Sequence, residues 1–379
     1  GEFAPNVGKV ENQMPRLLVT GGAGFIGANF VHHWADHYPD DRVVVLDALT
    51  YAGNLASLEP LAGNESFEFV KGDIRDKDLV VKLLREHGLN IIVHFAAESH
   101  VDRSILGPAE FIETNVVGTH NLLLAAREVW LDSEDAPDRH RFHHISTDEV
   151  YGSLNPEDPG FSVSNAYAPN SPYSASKAAS DHRVRAYHHT FGLDVRTSTC
   201  SNNYGPYQHP EKLIPLMIVN ALEGRSLPVY GDGSNIRDWL HVSDHVRGID
   251  AVINNGIAGR TYNIGGNEEH ANLDVVNRLC ERIDRIFAAD DTMKKRFPDA
   301  PAAEGRPTAS LIKMVRDRPG HDWRYAIDAS RIRDELGFGP SFDFEKGLED
   351  TILWMLRNER WWRAILDGSY KAWLQTQYA

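Results

Sequence analysis

Thr20-Gly21-Gly22-Ala23-Gly24-Phe25-Ile26-Gly27 follows the apolar run Arg16-Leu-Leu-Val-Thr20 and opens a stretch with helical spacing. Glycines at 21, 24 and 27 meet three needs of one strand-to-helix turn: a tight bend, close approach of backbone to a pyrophosphate, and close packing of helix on strand. The helix start adds aligned N–H groups that favour negative charge. About 20 residues beyond, Asp47 ends the run Arg42-Val-Val-Val-Leu-Asp47, at the spacing where a carboxylate accepts from an adenine ribose hydroxyl. That carboxylate would repel a 2′-phosphate, so the pattern favours NAD over NADP.

Outward from this turn, short β-branched runs alternate with longer helical stretches. Strands are expected at Arg16–Thr20, Arg42–Asp47, Phe67–Lys71, Ile91–Phe95, Arg141–Ser146 and Asp194–Thr199, with helices such as Lys77–Leu84 and Thr114–Val129 between them. Such alternation predicts an α/β fold: a Rossmann-type, doubly wound parallel sheet covered on both faces. After about Asn203 the rhythm loosens into a smaller C-terminal α/β substrate-binding lobe. Helices are expected there at Leu213–Leu222 and Leu273–Ala288, a strand at Thr261–Ile264, and a polar loop at Asp299–Pro307. The expected division is a flexible lead over 1–15, an NAD-binding domain over 16–203 rejoined by parts of 236–265, and a mainly substrate-binding domain over 204–379.

Composition narrows the function classes. The chain has 379 residues, 39 Lys and Arg against 54 Asp and Glu, and a net charge of -15, which leaves no basic face for nucleic acid or anionic lipid. Its apolar runs are far shorter than the roughly 20 residues of a membrane helix. Gly1-Glu-Phe-Ala-Pro-Asn lacks the apolar core of a signal peptide, so a cytoplasmic location is expected. Two cysteines, Cys200 and Cys280, make neither a disulfide framework nor a metal site, and both read as small buried hydrophobes.

Two further stretches carry chemistry. Tyr173-Ser-Ala-Ser-Lys177 puts a phenol and an amine on one helix face. A phenol acting as base near neutrality must fall from about 10 to about 7, roughly 4 kcal/mol. An ammonium about 6 Å away at an effective dielectric near 20 supplies roughly 3 kcal/mol, and a cationic nicotinamide the remainder. The run His144-Ile-Ser-Thr147-Asp148-Glu149-Val-Tyr-Gly152 places two carboxyls after a strand-end hydroxyl. Neighbours in a strand face opposite ways, so both acids reach one substrate only if the chain leaves strand geometry at Asp148.

These motifs, with Asp47-Ala-Leu-Thr-Tyr-Ala-Gly-Asn54, Ala96-Ala-Glu-Ser-His-Val-Asp-Arg103, Cys200-Ser-Asn-Asn-Tyr-Gly-Pro206 and Asp317-Arg-Pro-Gly-His-Asp322, closely resemble the dTDP-glucose 4,6-dehydratases. That family lies among the extended short-chain dehydrogenase/reductases, and the likeness runs from about Arg16 to near Trp362. The resemblance implies dehydration of dTDP-glucose to a 4-keto-6-deoxy sugar through bound NAD, a homodimer paired through the segments 114–129 and 178–187, and no metal. It implies catalytic roles for Thr147, Asp148, Glu149, Tyr173 and Lys177. It also implies cofactor contacts at Gly21, Gly24, Phe25, Ile26, Gly27, Asp47, Leu49, Thr50, Asp73, Ile74, Ala96, Ala97, Ser99, Thr114, Tyr173, Lys177 and Asn203. Substrate contacts are implied at His100, Thr147, Asn202, Lys212, Leu213, Pro228, Tyr230, Arg237, Asn272, Arg318 and His321. A dehydratase of another nucleotide sugar stays open at this point. A nucleotide-sugar 4-epimerase shares the glycine turn and the Tyr-Lys pair, but has no need of Asp148 and Glu149. A non-catalytic NAD sensor would not need the Tyr-Lys pair.

Overall fold

In a computed structural model that describes residues 14–317 and 321–367, the β-branched runs become strands. They are β1 Arg16–Thr20, β2 Arg42–Asp47, β3 Phe67–Lys71, β4 Ile91–His94, β5 Arg141–Thr147, β6 Val195–Cys200, β7 Asn202–Tyr204, β8 Leu227–Tyr230, β9 Ile236–His241, β10 Thr261–Ile264, β11 Glu269–Ala271 and β12 Ile312–Val315. Seven of them form one sheet in the order β10-β6-β5-β4-β1-β2-β3, every neighbouring pair parallel.

The period-2 alternation of side chains splits this sheet between two cores. Leu17, Val19, Val43 and Val45 face the helices Phe25–His37 and Val242–Asn255. Leu18, Val44 and Leu46 face the helices Lys77–Glu86, Thr119–Trp130 and Pro172–Phe191 on the other side. Every strand of this sheet except β3 is therefore almost wholly buried, and β1, β2 and β4 read as apolar runs for that reason. Strand β1 sits between β2 and β4, so the winding reverses there and a crevice opens at the carboxyl ends of β1 and β4.

A separate apolar cluster holds the second lobe. The helices Leu213–Leu222, Asn272–Ala289 and Phe344–Arg357 pack there around Trp239, Phe287 and Trp362. Two small sheets, β11-β9-β7 and β12-β8, flank it, while β10 returns to the large sheet beside β6.

Two local expectations need correction. The segment expected as one helix over 114–129 is a π-helical turn, Ile112–Gly118, followed by an α-helix, Thr119–Trp130. The wider turn brings Gly118 so close to Ile74 that a Cβ there would lie 2.5 Å from its Cδ1. The loop expected over 299–307 contains a 3-10 turn, Pro301–Glu304, with Pro301 and Ala302 buried. Among the described residues no helix is long and apolar enough to cross a membrane.

Candidate active site

The glycine turn shapes one end of the crevice. Gly21 has φ of 70°, which L side chains rarely adopt, and a Cβ there would lie 2.6 Å from the Ala96 nitrogen. A Cβ on Gly27 would lie 2.3 Å from the Gly21 carbonyl oxygen. On Gly24 a Cβ would touch only that oxygen, at 3.3 Å, and otherwise point into open cleft. The helix that starts at Phe25 has no side-chain cap, and Phe25 and Ile26 line the cleft, so its amino end is left for an anion. Asp47 accepts from the amides of Ala23 at 2.9 Å and Leu49 at 2.8 Å, which fixes its carboxylate beside the turn. A Rossmann turn with this cradle and a carboxylate at the end of β2 fits a dinucleotide.

The cleft encloses about 350 Å³. It gathers Gly21, Gly24, Phe25, Ile26, Gly27, Asp47, Thr50, Asp73, Ile74, Ala96, Ala97, Ser99 and Thr114 together with Thr147, Asp148, Glu149, Tyr173, Lys177, Asn202, Asn203 and Lys212. Leu49 does not line it; the side chain packs on the core beneath β2 while its backbone turns with φ of 52°. Leu213 packs on the core of the second lobe.

The reactive residues reach the cleft by local devices. Strand β5 stays extended through Thr147 and then breaks into a 3-10 turn, Asp148–Tyr151, ended by Gly152 at φ of 97°. This is the departure from strand geometry that the paired acids require, and both line the same cleft. Ser171 caps the next helix by accepting from the Ser174 amide at 3.0 Å, with Ser174 reciprocating and Pro172 in the first turn. That start fixes Tyr173 and Lys177 one turn apart. Asn115, in the π-helical turn, holds both backbone groups of Glu98 at 2.9 Å and the Ser176 hydroxyl at 2.8 Å.

Burial dominates the electrostatics. Asp148 is 2% exposed, and burial first, then the charges of Glu149 and Asp238, hold its pKa well above the usual carboxylate value while Arg237 opposes them. Its proton is therefore retained where an exposed aspartate has lost it. Tyr173 departs from the sequence expectation. Burial and then Glu149 push its phenol well up, outweighing the lowering hydrogen bond from Thr147. Lys177 is itself pushed down by burial, and its Nζ donates to the Ile145 carbonyl at 2.7 Å. The protein's own groups thus do not, on balance, lower the phenol. The Cys200 thiol, also in the cleft, is pushed up by burial and is no nucleophile.

The remaining expected residues stand apart from the cleft lining. Tyr230, at the end of β8, meets His321 edge-on with ring centroids 6.1 Å apart, and His321 bonds Asp317 at 2.7 Å. Asn272 opens a helix beside them, with its buried Oδ1 unpaired among the described residues. Pro228 lies within β8, and Arg237 in β9 donates to the carbonyls of Ile236 and Asp322 and lies over the Tyr325 ring. Arg318 lies outside the described residues. His100 is buried, with Nε2 3.7 Å from Glu211.

Sequence reasoning missed Tyr51, Glu98, Gln208, His209 and Glu211, all of which line the cleft. The Arg103 guanidinium lies 3.7 Å over the Tyr51 ring and 3.5 Å from Glu211. The available signal was the adjacent pair Glu211-Lys212, of which only the lysine was weighed.

Known proteins are similar to this chain in sequence and fold. The sequence pattern described as GDP-mannose 4,6 dehydratase matches residues 18–351. The dTDP-glucose 4,6-dehydratase of Xanthomonas campestris pv. campestris strain B100 is 55% identical over 359 residues, covering 94% of this chain and 98% of its own. An Escherichia coli dTDP-glucose 4,6-dehydratase is 50% identical over 364 residues, covering 94% and 97%. The crystal structure of DesIV, a dTDP-glucose 4,6-dehydratase from Streptomyces venezuelae solved with NAD bound, superposes with a TM-score of 0.81 at 48% identity, covering 92% and 99%. A UDP-glucose 4-epimerase from Thermotoga maritima shares the fold, with a TM-score of 0.75 at 23% identity, covering 91% and 99%. By these matches the chain belongs to the dTDP-glucose 4,6-dehydratase family.

Proposed function

We propose that the protein removes water from dTDP-glucose and releases dTDP-4-keto-6-deoxyglucose. The observation that carries this reading is Asp148, a buried carboxyl with a raised pKa, next to the half-buried Glu149 in the cleft that holds Tyr173. An epimerase has no use for that acid and base, whereas an elimination requires both.

Gly21, Gly24, Gly27 and Asp47 would hold NAD, which would supply the reversible hydride acceptance that the reaction needs. Tyr173 receives the C4 hydroxyl proton, and Thr147, hydrogen-bonded to Tyr173, holds that oxygen. The 4-ketone acidifies the C5 proton, which Glu149 removes, while Asp148 protonates the departing C6 hydroxyl. Lys177 supplies positive charge beside Tyr173. Residues Asn202, Lys212, Tyr230, Arg237, Asn272 and His321 bind the sugar nucleotide, with the large-sheet domain serving NAD and the second lobe serving substrate. The chain works as a cytoplasmic homodimer paired through the helices Thr119–Trp130 and Pro172–Phe191.

The test is to incubate purified protein with dTDP-glucose and no added reductant, and to weigh the product. Loss of one water is expected. An unchanged mass with inverted stereochemistry at C4 refutes the dehydratase in favour of an epimerase.

A further inference from the structure

Asp181 lies one turn beyond Lys177 on the helix Pro172–Phe191 and is 5% exposed. Three donors converge on it. His144 Nε2 lies 2.9 Å from its Oδ1, and the hydroxyls of Ser146 and Tyr167 donate to its Oδ2 at 2.6 and 2.9 Å. Oδ2 thus accepts from two hydroxyls at once, while Oδ1 stands against an imidazole nitrogen. All three donors are neutral. His144 is fully buried, burial pushes its pKa down, and its Nδ1 has no hydrogen-bond partner among the described residues. Asp181 is thus a buried carboxyl whose hydrogen-bond partners among the described residues include no lysine or arginine.

The basic side chain one turn before Asp181 on the same helix is Lys177, spaced as residues i and i+4. Lys177 needs such a neighbour: burial drives it toward the neutral amine, and Asp181 and then Cys200 act in the opposite direction. The other titratable groups around this pair are Tyr173 on the same helix, His94 on β4, His144 on β5, Cys200 on β6 and Tyr151 in the 3-10 turn. None of these is a cation: the two buried imidazoles are held neutral.

We propose that Asp181 is a positioning residue of the oxidation step, the buried counter-ion that keeps Lys177 cationic beside Tyr173. Its hydrogen bonds to His144 and Ser146 also pin the end of β5, from which Thr147 extends, to the helix that carries Tyr173. The proposal deepens the dehydratase reading and rests on it.

The test isolates oxidation from elimination with dTDP-6-deoxyglucose, which has a C4 hydroxyl to oxidise and no C6 hydroxyl to lose. The initial rate of absorbance rise at 340 nm is followed against pH. Asp181→Asn keeps the shape and removes the charge. A unit charge about 6 Å away at an effective dielectric near 20 moves a pKa by about one to two units. The alkaline limb of the profile is therefore expected to move down by about one to two pH units. Tyr167→Phe, which removes one hydrogen bond and leaves the charge, is expected to leave that limb in place.

Equal loss at every pH in Asp181→Asn, or an equal downward shift in Tyr167→Phe, overturns the proposal. Should Asp181→Asn not fold, Asp181→Ser is read in the same way. Wild-type protein that neither dehydrates dTDP-glucose nor gives a 340 nm signal overturns the functional reading itself. A wild-type profile that the charge-removing variants leave unmoved overturns only the role of Asp181.

Discussion

Gly24 and Gly27 stand three residues apart in one turn, yet alanine at each has a different consequence. A Cβ on Gly27 would lie 2.3 Å from the Gly21 carbonyl oxygen, 2.9 Å from Gly22 Cα and 3.0 Å from the Gly21 carbonyl carbon. All three are backbone atoms, so a rotamer change relieves nothing, and the turn must open by roughly 1 Å to reach ordinary van der Waals contact. Overpacking of this kind costs about 1–3 kcal/mol, on the order of 5 °C in Tm for a chain of this size. A Cβ on Gly24 meets only the Gly21 oxygen at 3.3 Å, which a shift of a few tenths of an ångström relieves. Its methyl group projects instead into the space where a pyrophosphate approaches the helix start. Gly24→Ala is therefore expected to leave the Tm of NAD-free protein within about 2 °C of wild type and to weaken NAD binding by about 1–3 kcal/mol, roughly 5- to 150-fold. Gly27→Ala is expected to lose Tm before NAD is added. Differential scanning calorimetry on NAD-stripped protein and calorimetric titration with NAD read the two quantities separately. NAD binding by Gly24→Ala within twofold of wild type would refute the placement of the pyrophosphate.

Tyr173→Phe is expected to abolish oxidation of the sugar, read as loss of any 340 nm transient in a single turnover; near-normal turnover removes the phenol from its role. Glu149→Gln is expected to slow exchange of the C5 proton with deuterated solvent by about 100-fold or more while the 340 nm transient persists, and unimpaired exchange excludes it as the base. Asp148 must carry its proton, so turnover of dTDP-glucose falls as pH rises through its elevated native pKa. Asp238→Asn removes one of the charges that raise that pKa. The alkaline limb of kcat is expected to move to lower pH, and a limb that stays or rises contradicts the assignment.

The large sheet was legible because all its strands but β3 are buried on both faces, and β3 still shows a short β-branched and aromatic run. Val43 to Leu46 form an unbroken apolar run, and the expected bounds of β2 and β3 are the observed ones. The glycine turn, Asp47 and the Tyr-Lys pair were legible because each is a local device whose spacing is its signal. The π-helical turn was not, since what sets it is tertiary: the close seat of Gly118 on Ile74 and the two bonds from Asn115 to the Glu98 backbone. Likewise, Tyr51, Arg103 and Glu211 meet from three distant segments with no shared spacing to reveal them. The sign of the Tyr173 environment was missed for a related reason. A Tyr-Lys spacing shows one favourable charge, but not the depth of burial or the nearness of Glu149, which together outweigh it.

Depth also decides which of the two adjacent acids keeps its proton. Two carboxyls this close in a poorly solvated site do not both ionise readily, and the better solvated one gives up its proton first. The 3-10 turn after Thr147 separates successive side chains by about a third of a turn rather than the half turn of a strand, so one residue goes in while the next stays open. Asp148 goes in, to 2% exposure, beneath Glu149 and near Asp238. Glu149 remains half-buried at the cleft. The elimination needs an acid and a base on neighbouring carbons of one sugar, and a single turn delivers both from consecutive residues. The proposed role of Asp148 as the acid and Glu149 as the base is therefore supported by burial rather than by residue type. An aspartate is ordinarily the stronger acid of the pair, and burial raises Asp148 against that order.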